Sequence, residues 1–263
     1  MTTYTELLAG LEHGREGRIE TNIPEDWMQG RTTYGGLTAA LALESARQVV
    51  EDLPVRSAQV AFIGPVGGHV VVAPKLLRRG KNTAFVNVDL VTEAGVVARC
   101  IFGFGARRAS QLDFNHLLVP DHSAPDDTDD FFPEGAIRPG FLGNFDFRLV
   151  DGGRPLDGTE ATSVTLWLRH TDPKAPTDAT AVLALADAPP PAIFPMMTDF
   201  APFSSMTWMV EFLSDDLETE QGWWLTRLTA ETAIQGYSAQ AMMLWNRRGA
   251  PAIVGRQTVA VFG

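Results

Sequence analysis

From Leu37 to Leu43 the chain reads Leu-Thr-Ala-Ala-Leu-Ala-Leu, small or apolar at nearly every position, and charge returns only at Glu44. On a helix, such a run leaves no polar face in the first two turns, so the helix must be buried on all sides. The pattern predicts a helix over Thr33–Asp52, entered through Gly35-Gly36 and stopped by Leu53-Pro54. A helix buried all round needs a wall, and the segments that follow have to supply it.

Those segments are extended. A strand at Gly17–Ile23 and a polar loop at Pro24–Arg31 precede the helix. After it, Arg56–Ile63 stops at Gly64-Pro65, and His69–Leu77, Thr83–Val91 and Val96–Gly105 follow with short turns between them. Thr83–Val91 alternates most clearly, with Ala84, Val86, Val88 and Leu90 on one face and Asn87 and Asp89 on the other. One buried helix against antiparallel strands is an α+β layout, a curved sheet around a helix.

The order then repeats. After an acidic stretch, strands are predicted at Phe145–Val150 and Ala161–His170, and a short apolar helix at Asp178–Ala188, closed by Pro189-Pro190-Pro191. Further strands follow at Ser204–Leu213, Trp223–Ile234, Ser238–Trp245 and Ala252–Phe262. The two halves share little residue identity, yet their elements match in order, as expected of a duplication. The implied units are residues 1–110 and 141–263, joined by an acidic linker over 111–140. Within that linker, Asp121–Glu134 carries six acidic residues and no Lys or Arg, and it reads as a solvated crossover.

Composition narrows the function classes. A net charge of −11, from 32 acidic against 21 basic residues, argues against a nucleic-acid surface, where affinity comes mainly from Lys and Arg. No stretch reaches the roughly 18 apolar residues of a membrane span. The single cysteine, Cys100, cannot close an internal disulfide, and a reducing, cytoplasmic setting is expected. The five histidines are scattered without metal-ligand spacing, so no metal and no cofactor are expected. No Gly-x-Ser-x-Gly elbow is present either.

Three blocks add a resemblance. Tyr34-Gly35-Gly36 leading into Leu37–Leu43, Arg56–Pro65, and Leu77-Arg78-Arg79-Gly80-Lys81, with Trp208–Phe212 and Gly255–Val259 in the second half, resemble the acyl-CoA thioesterase II (TesB-like) family. The resemblance covers most of the chain outside the linker. It implies a double hotdog, two curved antiparallel sheets each wrapped around a central helix, and hydrolysis of an acyl-CoA to a carboxylic acid and free CoA. It also implies a catalytic aspartate, hydroxyl and glutamine, which fall by position on Asp187, on Ser205 or Thr207, and on Gln257. The family's habit of association implies a homodimer or larger homo-oligomer.

The chemistry fits these residue types. A thioester is electrophilic and its thiolate leaves readily, so an oriented water can attack without a covalent nucleophile. An aspartate takes the proton, while a hydroxyl and an amide fix the water's other hydrogen bonds. The start of the Gly36 helix offers unpaired N–H groups to an oxyanion. Tyr34, Gly35 and Gly36 are therefore expected against the substrate. Arg78 and Arg79, with Lys81, Arg107 and Arg108, are candidates for CoA phosphates, with solvated turn charges as the plainer explanation. Strand alternation puts Gln257 in an apolar row with Ile253, Val259 and Val261, and a two-residue spacing puts Ser205 and Thr207 on one face. Two other readings stay open: a ligand-binding hotdog without turnover, and an enoyl-CoA hydratase, which is disfavoured because no His stands in a suitable acid and glycine context. Ser in place of the commoner Thr, the Pro run after Asp187, and a strand at Arg56 lacking the His seen in many relatives keep the binding module open.

Overall fold

The computed structural model describes residues 1–136 and 138–262; Ile137 and Gly263, which fall in the expected linker and second unit, lie outside the described residues. The helices are α1 (Tyr4–Ala9), α2 (Gly35–Val49) and α3 (Ala179–Ala186). In the first half the strands are β1 (Glu12–His13), β2 (Ile19–Asn22), β3 (Met28–Gln29), β4 (Thr32–Thr33), β5 (Val55–Phe62), β6 (His69–Arg79), β7 (Thr83–Thr92) and β8 (Gly95–Gly105). The second half contributes β9 (Asp129–Asp130), β10 (Phe145–Asp151), β11 (Ser163–His170), β12 (Phe203–Phe212), β13 (Trp224–Ile234), β14 (Tyr237–Asn246) and β15 (Pro251–Val261).

Every strand except the β3–β4 pair belongs to one antiparallel sheet of order β1-β2-β6-β7-β8-β5-β12-β15-β14-β13-β11-β10-β9. Read outward from the β5–β12 seam, the two wings match. In one, β5, β8, β7, β6 and β2 follow each other; in the other, β12, β15, β14, β13 and β11 do. In each wing the helix comes between the outer strand and the seam strand, so the duplication seen in element order is present in the topology. The fold is a double hotdog.

The all-round apolar reading of α2 holds: its residues Gly36 to Leu43, with Ser45 and Ala46, are buried. It packs on β6, β7, β8 and, along its length, on the antiparallel α3. Helix α3 is apolar throughout, and Thr180 to Ala186 are buried. Two such helices can only stack on each other inside the sheet, since neither has a face to give to water.

The strand β6 runs on through Arg79, beyond the turn predicted at Leu77, with a bulge between Leu76 and Arg78. Helix α1 has no hydrophobic period long enough to announce it. A capping box made by Thr3 and Glu6 starts it, and Tyr4 and Leu7 anchor it in the core. Tyr4, Trp27, Tyr34, Phe141, Phe145 and His170 then form a chain of aromatic contacts from the N-terminal segment to the second half.

The acidic crossover is more than a solvated tether. Its strand β9 pairs with β10. Upstream, the Leu117 and Ser123 carbonyls accept hydrogen bonds from the indoles of Trp245 (3.1 Å) and Trp167 (2.8 Å). With Val119 it covers a small apolar cluster of Trp167, Trp223, Leu225 and Trp245 on the outer side of the second wing. Trp224 faces the other way, into the main core.

Candidate active site

Asp187 is the C-cap of α3. The helix has to stop there, because Pro189-Pro190-Pro191 cannot supply the N–H groups that would continue it. Ending at that point brings the Asp187 carboxyl to the first turn of α2. Gln257 Nε2 donates to it, and the Gly36 backbone N–H stands near enough to favour its charged form. Burial pushes the Asp187 carboxyl up to about 7, more than these two donors pull it down. The residue as a whole is half-buried.

The glycine pair is what lets the helices meet so closely. A Cβ on Gly35 would overlap Asp187 Oδ2 and stand 2.7 Å from the Phe62 ring. One on Gly36 would overlap the Ala184 carbonyl and stand 2.6 Å from the Tyr34 ring. Tyr34 itself is buried, stacked on Phe141 at 4.3 Å, and its hydroxyl donates to the Ala184 carbonyl at 3.1 Å. The phenol is held well above its ordinary pKa, first by burial and then by Tyr4 and Asp187. Expected against the substrate, Tyr34 stands instead as a pin between α2 and the last turn of α3.

Gln257 is 5 % exposed and sits in the apolar row that strand alternation predicted. One neighbour was not foreseen. Gln240 of β14, directly opposite Gln257 in the β14–β15 register and 2 % exposed, accepts from the Ala192 backbone N–H at 2.9 Å. Its Nε2 donates to Gln257 Oε1. A signal existed: counting both strands out from the hairpin at Arg247–Ala250 pairs the two glutamines. The donors therefore run in one direction, from Ala192 through Gln240 and Gln257 to Asp187.

The structure separates Ser205 from Thr207, against the expectation that they share a face. Ser205 pairs with Val259 and Thr207 with Thr258, so Met206 is the extra residue of a bulge. Val259 is buried on the Gln257 side, which puts Ser205 on the inner face. Beyond the bulge Trp208, Val210 and Phe212 point inward, while Thr207, Met209 and Glu211 are exposed. If Ser205 supplies the hydroxyl, Thr207→Ala should leave turnover within about two-fold, and Ser205→Ala should lower it by roughly 10- to 100-fold, as loss of one positioning hydrogen bond does. Equal losses in steady-state assays of both variants would refute the assignment.

The basic candidates are not gathered at Asp187. Arg79 pairs with Asp52, just past the far end of α2, a helix of 15 residues and so about 20 Å long. Arg107 makes a forked pair with Asp215, at 2.8 and 2.7 Å. Arg78, Lys81 and Arg108 are exposed. That far end also opens into a cavity of about 890 Å³ lined by Glu44, Glu51, Asp52, Asp178, Asp215 and Glu218, with Arg47 tied to Asp178. So acidic a wall repels an anionic ligand, and the chemistry is better placed at the Asp187 end. His170 is also remote, at the other end of α3: its Nε2 donates to the Ala181 carbonyl, and burial pushes its pKa down to about 4. Among the described residues no group of three or more His, Cys, Asp or Glu is placed to hold a metal ion. Likewise, no described helix is long and apolar enough to cross a membrane.

The comparisons agree with this architecture. Among solved structures, a hot dog fold protein of Alicyclobacillus acidocaldarius is 23% identical, with a TM-score of 0.89 over 100% of this chain and 99% of that one. The tesB protein of Mycobacterium avium subs paratuberculosis is 16% identical, with a TM-score of 0.80 over 99% of this chain and 100% of that one. An acyl-CoA thioesterase II, TesB2, of Mycobacterium marinum is 18% identical, with a TM-score of 0.76 over 98% of each chain. No curated protein matches. Family models cover both wings, the acyl-CoA thioesterase N-terminal domain over residues 23–105 and the acyl-CoA thioesterase C-terminal domain over residues 119–261. With both domain models matched in order along one chain, this protein belongs to the acyl-CoA thioesterase family.

Proposed function

We propose that this chain hydrolyses an acyl-CoA thioester to a carboxylic acid and free CoA, with Asp187 as the base that activates water. The observation that carries the reading is the Asp187–Gln257 hydrogen bond at the first turn of α2, which joins an acid of raised pKa to an oriented amide. Asp187 takes a proton from the water, and its oxygen attacks the thioester carbonyl. Gln257 and Ser205 orient that water. The oxyanion is met by the N–H groups of the α2 first turn. Collapse of the tetrahedral intermediate expels the CoA thiolate, which takes up the proton.

The test is CoA release from acyl-CoA substrates of graded chain length. Turnover that drops at least about 100-fold in Gln257→Ala, with the fold intact, supports the reading. An unaltered rate in that variant, or no turnover by the wild type on any chain length, would sink it. In the second case a ligand-binding role takes its place.

The pKa sets a pH dependence. A base works only when ionised, and Asp187 ionises near 7 rather than in the ordinary carboxylate range. The rate should therefore rise with pH along a single acid limb centred near 7. A limb centred near about 4 would mean that an ordinary carboxylate, and not this one, is the base.

A further inference from the structure

We propose that Gln240 is a positioning residue: it fixes which end of the Gln257 amide faces Asp187, and so keeps Asp187 in its proton-accepting form. The proposal rests on the reading of Asp187 as the base. An amide is nearly symmetric in shape, and only hydrogen-bond polarity tells its two ends apart. Here the polarity is set at the far end of the row. After Ala188, three prolines contribute no N–H, and the next backbone donor is that of Ala192, a residue 1 % exposed. A buried donor left unmet is costly, so the Gln240 oxygen is committed to it.

The Gln240 NH₂ must then face Gln257, which commits the Gln257 oxygen, and the Gln257 NH₂ turns to Asp187, with one N–H on the carboxyl and the other left for the water. Reversing either amide would set two donors or two acceptors against each other at one junction. Asp187 thus receives a hydrogen bond from Gln257 on β15, and with the nearby Gly36 N–H on α2 this bond favours the carboxylate over the acid. The other groups packed near it bring no counter-charge. Phe62 from β5 is apolar, and the titratable Tyr34 on α2 is a neutral phenol already bonded to Ala184. The polarity of the amide row, together with the Gly36 N–H, is therefore what opposes protonation.

Two variants separate this role from a merely structural one. Gln240→Leu removes the constraint. Gln240→Met keeps the length of the side chain and a sulfur that accepts weakly from Ala192, but it offers Gln257 no donor and leaves the Gln257 oxygen free to turn toward Asp187. The carboxyl of Asp187 is followed by ¹³C NMR titration, its signal identified by its loss in Asp187→Asn, and the pH profile of thioester hydrolysis is recorded alongside. Both variants should raise the Asp187 midpoint by about one unit or more. kcat at neutral pH should fall about ten-fold with KM little changed. A structural role instead predicts a wild-type midpoint in Gln240→Met, and a shift below about 0.3 unit in that variant overturns the proposal. Should Gln240→Leu fail to fold, Gln240→Met still decides. The titration needs no turnover, so an inactive wild type refutes the catalytic reading separately, while a displaced midpoint still supports the amide control.

Discussion

Asp187→Asn should abolish most thioester hydrolysis and, in the same protein, remove a pH-dependent loss of stability. The expected fall in kcat/KM is about 10²–10⁴-fold, the usual contribution of a general base. Its stability counterpart follows from linkage. The folded-state pKa of Asp187 is raised from 3.8 to about 7, so the native state binds this proton more tightly than the unfolded chain. The resulting stabilisation is fully present below the unfolded value and is lost as pH rises through about 7. Fully buried, such a shift would correspond to about 4 kcal/mol; the half-burial of Asp187 reduces it to roughly 2 kcal/mol.

Other carboxylates work in the opposite sense. Asp89 and Asp215, held down first by Arg99 and Arg107, add stability as pH rises through the acid range. The comparison must therefore be a difference. Chemical denaturation of wild type and Asp187→Asn between pH 4 and 8 should show the wild type losing ground against the variant by roughly 2 kcal/mol. Parallel curves would mean that Asp187 is not perturbed, and they would weaken its assignment as the base.

The second large effect is expected at the glycine pair, where two adjacent substitutions should fail in different ways. In Gly36→Ala the new methyl meets the Ala184 carbonyl, part of the α3 backbone, and the ring of Tyr34. Neither can retreat without parting the helices, so a cost of about 2–4 kcal/mol is expected. For a chain of this size that lowers Tm by roughly 5–15 °C. In Gly35→Ala the methyl meets the Asp187 carboxylate and the far edge of the Phe62 ring, both side-chain ends that can swing aside. Stability should fall by only about 1 kcal/mol. Activity should fall much further, since the displaced group is the proposed base. Calorimetry with steady-state kinetics on both variants reads the contrast. A Gly36→Ala protein as stable as wild type would show that α2 and α3 are not in contact as described.

Much of this was legible because it is local. The unbroken apolar run of α2, the alternation of β7 and the proline stop after α3 are each written within a few residues. The inward phase of Gln257 followed from period-two alternation in a regular strand. The same rule failed for Ser205 and Thr207, because one extra residue, Met206, reverses the phase between them, and nothing in Phe203–Phe212 marks a bulge. Tyr34 read as a wall residue because its position next to two glycines is visible in sequence, while its hydroxyl partner, 150 residues away, is not.

By itself, then, the sequence determined that two apolar helices must be wrapped by antiparallel strands, in two similar halves, while its resemblance to a known family supplied an acid, a hydroxyl and an amide in the second half as candidates. Burial periodicity is a property of neighbouring residues, and it survives in one dimension. The tertiary structure alone decided that the end of α3 lies on the start of α2, so that a helix-capping acid meets Gly36 and Gln257 and acquires a raised pKa. It alone decided that Ser205 lies on the inner face of its strand and that Gln240 bonds both Ala192 and Gln257. Those outcomes depend on strand register and on contacts between distant segments. A hydrogen bond becomes visible only when both of its partners have been placed.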